Sequence, residues 1–193
     1  MKSDFQIILD NIQKRRSIYP HNFKQGAISQ DIINDLVEAA RWAPNHKMTE
    51  PWRFVIFTED GLNKLSKFLG EYYRSNTSLE VFSQEKMQKA AEKPLQSGAV
   101  IAICITRSPE AVIPSWEETA AVACAVQNLW LTASAHQLGG YWSTPAAISE
   151  LVRYFELKDI TNCLGLFYLG WPTELPNIVR KRKAIEEISF YIK

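Results

Sequence analysis

Ala99-Val100-Ile101-Ala102-Ile103-Cys104-Ile105-Thr106 is followed, past Pro109 and Pro114, by Ser115-Trp-Glu-Glu-Thr-Ala-Ala-Val-Ala-Cys-Ala-Val-Gln-Asn-Leu-Trp-Leu-Thr-Ala-Ser-Ala-His136. The first run is almost uniformly apolar and rich in β-branched residues, which predicts a central strand covered on both faces. In the second, the prolines stop the preceding structure and a helix starts at Ser115, continuing to about His136. Its faces are nearly all small or apolar: Ala120, Ala121, Val122, Ala123, Cys124, Ala125, Val126, Leu129, Leu131 and Ala133. A helix apolar all round must be buried all round, and in a short chain one economical place for it is between two subunits. The run is broken by Gln127 and Asn128 and is too short to span a bilayer.

Working outward, Phe5, Ile8, Leu9 and Ile12 have helical spacing, giving a first helix that ends near Arg15. Ser29 is a suitable cap for a second helix, with Ile32, Ile33, Leu36, Val37 and Ala40 as its apolar stripe and Pro44 as its stop. Trp52 to Phe57 reads as a strand, Leu62 to Leu69 as part of a helix, and Ser83 to Glu92 as a polar helix. Gly139-Gly140 reads as a helix stop, followed by an extended piece from Tyr141 to Thr144. Ser149 is expected to cap a brief helix through Tyr154, Leu164 to Trp171 to form a buried strand, and Pro172 and Pro176 an extended exit. Ile185 to Ile192 has strand character. No composition break, repeat or linker divides the 193 residues, so the reading is one domain over 1–193: α+β, a sheet wrapped by helices.

Hydrophobic residues make up 46% and aromatic residues 11%, enough for a substantial core; net charge of +1 gives no global reason to bind nucleic acid or an anionic membrane. Cys104, Cys124 and Cys163 are scattered and odd in number, which fits a reducing cytosol better than a disulfide framework. His21, His46 and His136 show no metal-ligand spacing. The residues from Met1 to Asp10 do not read as a signal peptide. Dinucleotide-fold, P-loop and nucleophile-elbow glycine motifs do not occur. The pairs Glu117-Glu118 and Glu186-Glu187 read as solvated carboxylates. With no reactive group of its own declared, a catalytic chain would borrow one from a cofactor.

Fixed positive charge stands near both ends, at Lys14-Arg15-Arg16-Ser17 and at Arg180-Lys181-Arg182-Lys183. Each run alone is also what a solvated helix end or basic surface would show. Together they are what a phosphate pocket assembled from distant segments requires, because the guanidinium fork binds two phosphate oxygens and keeps its charge. Between them lies Ala43-Pro44-Asn45-His46-Lys47-Met48-Thr49-Glu50-Pro51-Trp52-Arg53-Phe54, which reads either as an ordinary turn or as a polar rim for a heteroaromatic ring.

The order of these motifs resembles the nitroreductase family of FMN-dependent oxidoreductases over nearly the whole chain, and most closely its small bacterial branch. The resemblance implies a nitroreductase-like fold with a mixed or antiparallel sheet, in an interlocked homodimer with FMN sites at the interface. It implies that a C-terminal segment, about 172–193, reaches the partner. By position, Arg15, Arg16 and Ser17 would hold the phosphate and ribityl chain, with Arg180 and Arg182 closing on the phosphate. Pro44, Asn45, His46 and Met48 match a loop that reaches the other subunit's flavin, and Trp42 a position before it that touches cofactor. Trp142, Ser143 and Thr144 match the segment against the ring. Thr144-Pro145-Ala146-Ala147-Ile148 lacks the Glu-Gly common in larger members, Met48 stands where Asn is frequent, and Tyr19 where a basic residue is.

The implied activity is hydride transfer from NADH or NADPH to flavin, then to a nitroaromatic, quinone or similar small acceptor in a ping-pong cycle, in the cytoplasm. Its chemistry would reside at the flavin N5, with neither a protein catalytic group nor a metal. Two alternatives stand beside it: a flavin-consuming or dehalogenating relative on the same fold, and a non-catalytic dimer that binds a phosphorylated ligand.

Overall fold

The computed structural model describes residues 2–175 and 181–193. Among the described residues, the elements run α1 (Asp4–Lys14), β1 (Phe23–Lys24), α2 (Gln30–Arg41), β2 (Trp52–Phe57), α3 (Asp60–Ser75), α4 (Gln84–Leu95), β3 (Ala99–Ile105), α5 (Ser115–Ala135), β4 (Gly139–Ser143), α6 (Ile148–Tyr154) and β5 (Asn162–Pro172). Short 3-10 turns occur at Pro20–Asn22, His46–Met48 and Ile185–Glu187. The sheet order is β1-β5-β3-β2, with β4 also on β5, and every strand pair is antiparallel.

All seven residues of β3 are buried. The period of two along a strand sends Ile101, Ile103 and Ile105 to one face, against α2 and α5, and Val100, Ala102 and Cys104 to the other, against α3 and α6. β5 divides likewise: Phe167 and Leu169 join the first core, Leu166 and Tyr168 the second. The result is three layers with the sheet in the middle. Each fully buried Ile or Leu contributes about 1.5–3 kcal/mol.

Serines set three helix starts. Ser3 accepts from the Gln6 N–H in a capping box, Ser29 from Ile32 at 3.4 Å, and Ser83 from Lys86 at 3.3 Å. α5 stops where Gln137 takes a left-handed φ of 61°. The expected helix stop at Gly139-Gly140 is corrected by this: both glycines open β4 instead. Packing explains them, since a Cβ on Gly140 would lie 2.6 Å from Phe167 Cζ and 3.0 Å from Trp130 Nε1. Phe167 is fully buried and has nowhere to go. Gly140→Ala is therefore expected to lower stability by about 1–3 kcal/mol, read as an earlier urea midpoint at unchanged slope.

Two further expectations are corrected. Ser149 lies inside α6, which Ala147 precedes; its hydroxyl donates to the Ala146 carbonyl. Ile185 to Ile192 forms no strand: it pairs with no other segment among the described residues and begins with the 3-10 turn. Pro176 lies outside the described residues.

α5 is held to its neighbours by two amides. Asn11 donates to the Leu131 carbonyl from α1, and Asn128 donates to the Ala39 carbonyl of α2. Within one chain α5 buries only part of its circumference. Ala121, Val122, Ala125, Val126, Leu129 and Ala133 are inside, whereas Trp116, Ala120, Ala123, Cys124 and Gln127 are exposed. α1 buries none of its residues and leaves Phe5, Ile8 and Ile12 open. No helix among the described residues is long and apolar enough to cross a membrane.

Candidate functional site

Where α1 ends beside the last turns of α5, a cleft of about 1190 Å³ opens. Lys14, Arg15, Arg16 and Arg182 all line it, with Trp130 as a flat wall. Arg15 is the C-cap of α1, so the end of the helix fixes its backbone. Its guanidinium sits 4.5 Å from the centre of the Trp130 ring, a cation–π contact that holds the fork in place. Arg16 Nη1 donates to the Arg15 carbonyl at 2.9 Å and also to the Gln13 carbonyl, anchoring this side chain to the helix end. Burial, then the positive charges of Arg16 and Arg182, push the Arg15 guanidinium below its ordinary pKa. Arg15 and Arg182 form no ion pair with a carboxylate among the described residues. Trp130 Nε1 is buried with no hydrogen-bond partner among the described residues. Residues from both ends of the chain thus meet in one basic cleft. Arg180 lies outside the described residues. Ser17 continues from Arg16 to a parallel bridge with Gly140 but is not part of the cleft wall.

The loop residues form a separate group. His46 Nδ1 lies 2.5 Å from Glu117 Oε2 at the start of α5, and Asn45 Oδ1 accepts the Glu50 N–H at 3.0 Å. Lys47, Met48 and Glu50 all hold left-handed φ values, of 52°, 52° and 41°. Non-glycine residues pay strain for that conformation, and strain of this kind concentrates at functional loops. Met48 is 74% exposed and Trp42 75%; Pro44 is exposed beside them. Trp42 Nε1 donates to Glu38 at 2.8 Å. From Glu117 to Trp130 is about 20 Å along α5, at 1.5 Å per residue. Within one chain, therefore, the loop and the basic cleft lie toward opposite ends of the same helix.

Trp142 and Ser143 stand on β4, opposite Phe167 and Leu166 of β5, with Thr144 exposed just beyond. The Trp142 indole packs against Gly165, where a Cβ would come within 2.2 Å of its Nε1, and that nitrogen is buried with no hydrogen-bond partner among the described residues. None of the three lines the basic cleft.

Two features escaped the sequence reading. Glu117 and Glu118 are not simply solvated. Glu117 holds His46, and the buried Glu118 accepts from Arg107 at 3.1 Å and from the Ser108 N–H at 3.0 Å, tying down the loop before α5. Trp130 was visible only as one apolar residue of a buried helix; its spacing carries no sign that it stacks under Arg15. Among the described residues no group of three His, Cys, Asp or Glu side chains is placed to hold a metal ion.

An antiparallel sheet between helical layers, carrying a guanidinium-lined cleft walled by an indole, defines an α+β protein with one basic cleft at the end of α1. The chain belongs to the nitroreductase family, whose profile matches residues 12–171. It is 29% identical over 184 residues to the Bacillus subtilis (strain 168) protein named "Putative NAD(P)H nitroreductase YfhC", covering 94% of this chain and 92% of that one. A nitroreductase-like family protein from Bacillus cereus superposes with a TM-score of 0.82 at 25% identity, covering 100% of both chains. The FMN-dependent nitroreductase NfnB from Mycobacterium smegmatis, in complex with NADPH, superposes with a TM-score of 0.76 at 12% identity, covering 98% of this chain and 100% of that one.

Proposed function

We propose that this protein is an FMN-dependent oxidoreductase that takes hydride from NADH or NADPH and passes it to a nitroaromatic, quinone or similar small acceptor. The observation that carries the proposal is the meeting of Arg15, Arg16 and Arg182 in one cleft, where burial, and after it the charges of Arg16 and Arg182, depress the Arg15 pKa. A phosphomonoester bears a charge of about −1.5 to −2 at neutral pH. Placed there, it converts a repulsive cluster into charge-assisted hydrogen bonds. Arg15 and Arg182 are assigned to the phosphate, with Arg16 and Ser17 beside them; Arg180 is added by the family resemblance. Trp130 keeps the Arg15 fork aimed into the cleft. When bound, FMN supplies the hydride-accepting and hydride-donating ring. The protein binds and orients it, counters negative charge and excludes water.

The second half of the site is assigned to a second copy of the chain. The point halfway between Glu117 and Trp130 falls between Ala123 and Cys124, in the exposed stripe of α5. A two-fold axis there, with the α5 helices antiparallel, brings the Trp42–Met48 loop of one copy to the basic cleft of the other. This accounts for the strained loop, the exposed Trp42 and Met48, and the uncovered apolar face of α1. The exposed Ile185, Ile188, Phe190 and Tyr191 are assigned to the partner's surface for the same reason. Trp142, Ser143 and Thr144 are assigned to the ring side of the site. Reductant and acceptor use one opening in alternation, so their kinetics are ping-pong.

The test is spectroscopic. The purified protein is expected to be yellow, to bleach anaerobically with a reduced nicotinamide, and to recover its colour with a quinone or nitroaromatic. A halogenated aromatic serves as a parallel acceptor to separate dehalogenation. Colourless protein that FMN does not reconstitute would count against the proposal and for a phosphorylated-ligand carrier.

A further inference from the structure

Two of the three cysteines meet inside the fold. β3 and β5 pair in step from Ala99 opposite Leu169 to Ile103 opposite Gly165, and there the register slips by one residue. Cys104 stands opposite Cys163, and Leu164 is left with no partner in β3. The slip decides which faces these side chains take. Continued in step, Cys104 would oppose Leu164, and strand alternation would send Cys163 to the other side of the sheet. With the bulge, Leu164 packs on the α2 and α5 side, while Cys163 joins Cys104 on the α3 and α6 side.

Residues directly opposite on antiparallel strands have Cα atoms about 4.5–5.5 Å apart, within the roughly 4.4–6.8 Å that a disulfide spans. The two thiols are hydrogen-bonded to each other, and the Cys163 S–H donates to the Gly165 carbonyl at 3.4 Å. The hydrogen bond from Cys104 holds the Cys163 thiol below its ordinary pKa, against the opposing effect of burial; the same contact, then burial, pushes Cys104 up. Cys163 is thus the better source of a thiolate. It is 8% exposed and follows the exposed Thr161 and Asn162, whereas Cys104 is fully buried. Cys124 is exposed on α5, on the other side of the sheet from this pair.

We propose that Cys104 and Cys163 are a modification site, which hydrogen peroxide oxidises to a cross-strand disulfide. The Cys163 thiolate attacks one peroxide oxygen. The O–O bond breaks, leaving a sulfenic acid and a hydroxide, which takes up the proton that Cys163 lost and departs as water. The Cys104 sulfur then attacks the Cys163 sulfur; the S–O bond breaks, the S–S bond forms, and a second water carries off the Cys104 proton. The two thiols lose two electrons and the peroxide gains them. The new bond ties the exit of β3 to the entry of β5 and closes the long loop between them, which constrains the unfolded chain.

The experiment uses the full chain carrying Cys124→Ser, so that only this pair is left to react. After denaturation and alkylation, the untreated protein should take up two alkyl groups and the peroxide-treated protein none, its intact mass lower by two hydrogen atoms. Peptide mapping should find Cys104 joined to Cys163 within one chain, and dithiothreitol should restore both thiols. The oxidised form should unfold at a higher urea concentration than the reduced form. Cys104→Ala in the same background should lose the link and leave Cys163 as a sulfenic acid that dimedone captures. Two free thiols, after a treatment that fully oxidises Cys124 of the parent, would overturn the inference. So would a gain of oxygen mass with no link, or a link between chains. None of these readouts depends on bound flavin.

Discussion

Ala123→Glu is expected to yield a folded monomer that no longer retains FMN. Ala123 is solvent-exposed in the single chain and lies on the stripe formed by Trp116, Ala120, Cys124 and Gln127. Glu is nearly as good a helix former as Ala, so one isolated chain tolerates the change. Across a two-fold axis the same substitution sets two carboxylates against each other among alanine methyls. Burying charges without partners costs several kcal/mol, enough to dissociate a dimer at micromolar concentration. Because the Trp42–Met48 loop and the Arg15 cleft lie about 20 Å apart along α5, separating the copies would leave each with half of the proposed site. Sedimentation should show one chain where the parent shows two, circular dichroism should be unchanged, and flavin affinity should fall by more than about a hundredfold. An intact dimer, or a monomer that keeps its flavin, would remove the two-copy site from consideration.

The layers were legible in the sequence because their signals are local and one-dimensional. β3 and β5 are apolar on both faces, which leaves nowhere but the middle of the sheet for them. α2 announced itself by its stripe and by Ser29. The misread elements depend on what lies across the fold. Gly139 and Gly140 look like a helix stop until Phe23 and Phe167 are seen to occupy the space where their Cβ atoms would lie. Only two residues of β1 pair, at the end of β5, too few to leave a periodic pattern. The tail from Ile185 has β-branched and aromatic residues, but it pairs with no strand among the described residues. At the site, the arginines stood out because charge at both ends of a nearly neutral chain is conspicuous. The contacts that position them are long-range. Trp130 under Arg15 spans more than a hundred residues of sequence, and Glu117 on His46 spans 71. Periodicity carries neither.

Arg15→Ala is expected to raise the Kd for FMN about ten- to a hundredfold, with Arg15→Lys recovering only part of the loss. Charge-assisted hydrogen bonds are worth roughly 1.5–3 kcal/mol each, which sets the range. Alanine removes the charge, the bidentate fork and the stacking on Trp130 together. Lysine restores the charge alone, because an ammonium is a point donor and does not lie flat on an indole. The shortfall of the lysine variant therefore measures the bidentate fork and the 4.5 Å contact with Trp130 together. Relief of repulsion works in the opposite direction. Removing one of three clustered cations eases the other two, so Arg15→Ala should stabilise the flavin-free protein slightly while destabilising the loaded one. Thermal melts with and without added FMN would show the two shifts with opposite signs. Arg182→Ala should behave alike, and if both groups serve one dianion, as proposed, the double variant should lose less than the two single losses added together. If both single variants bind FMN as the parent does, the phosphate sits elsewhere and the convergence of the chain's two ends in this cleft has another purpose.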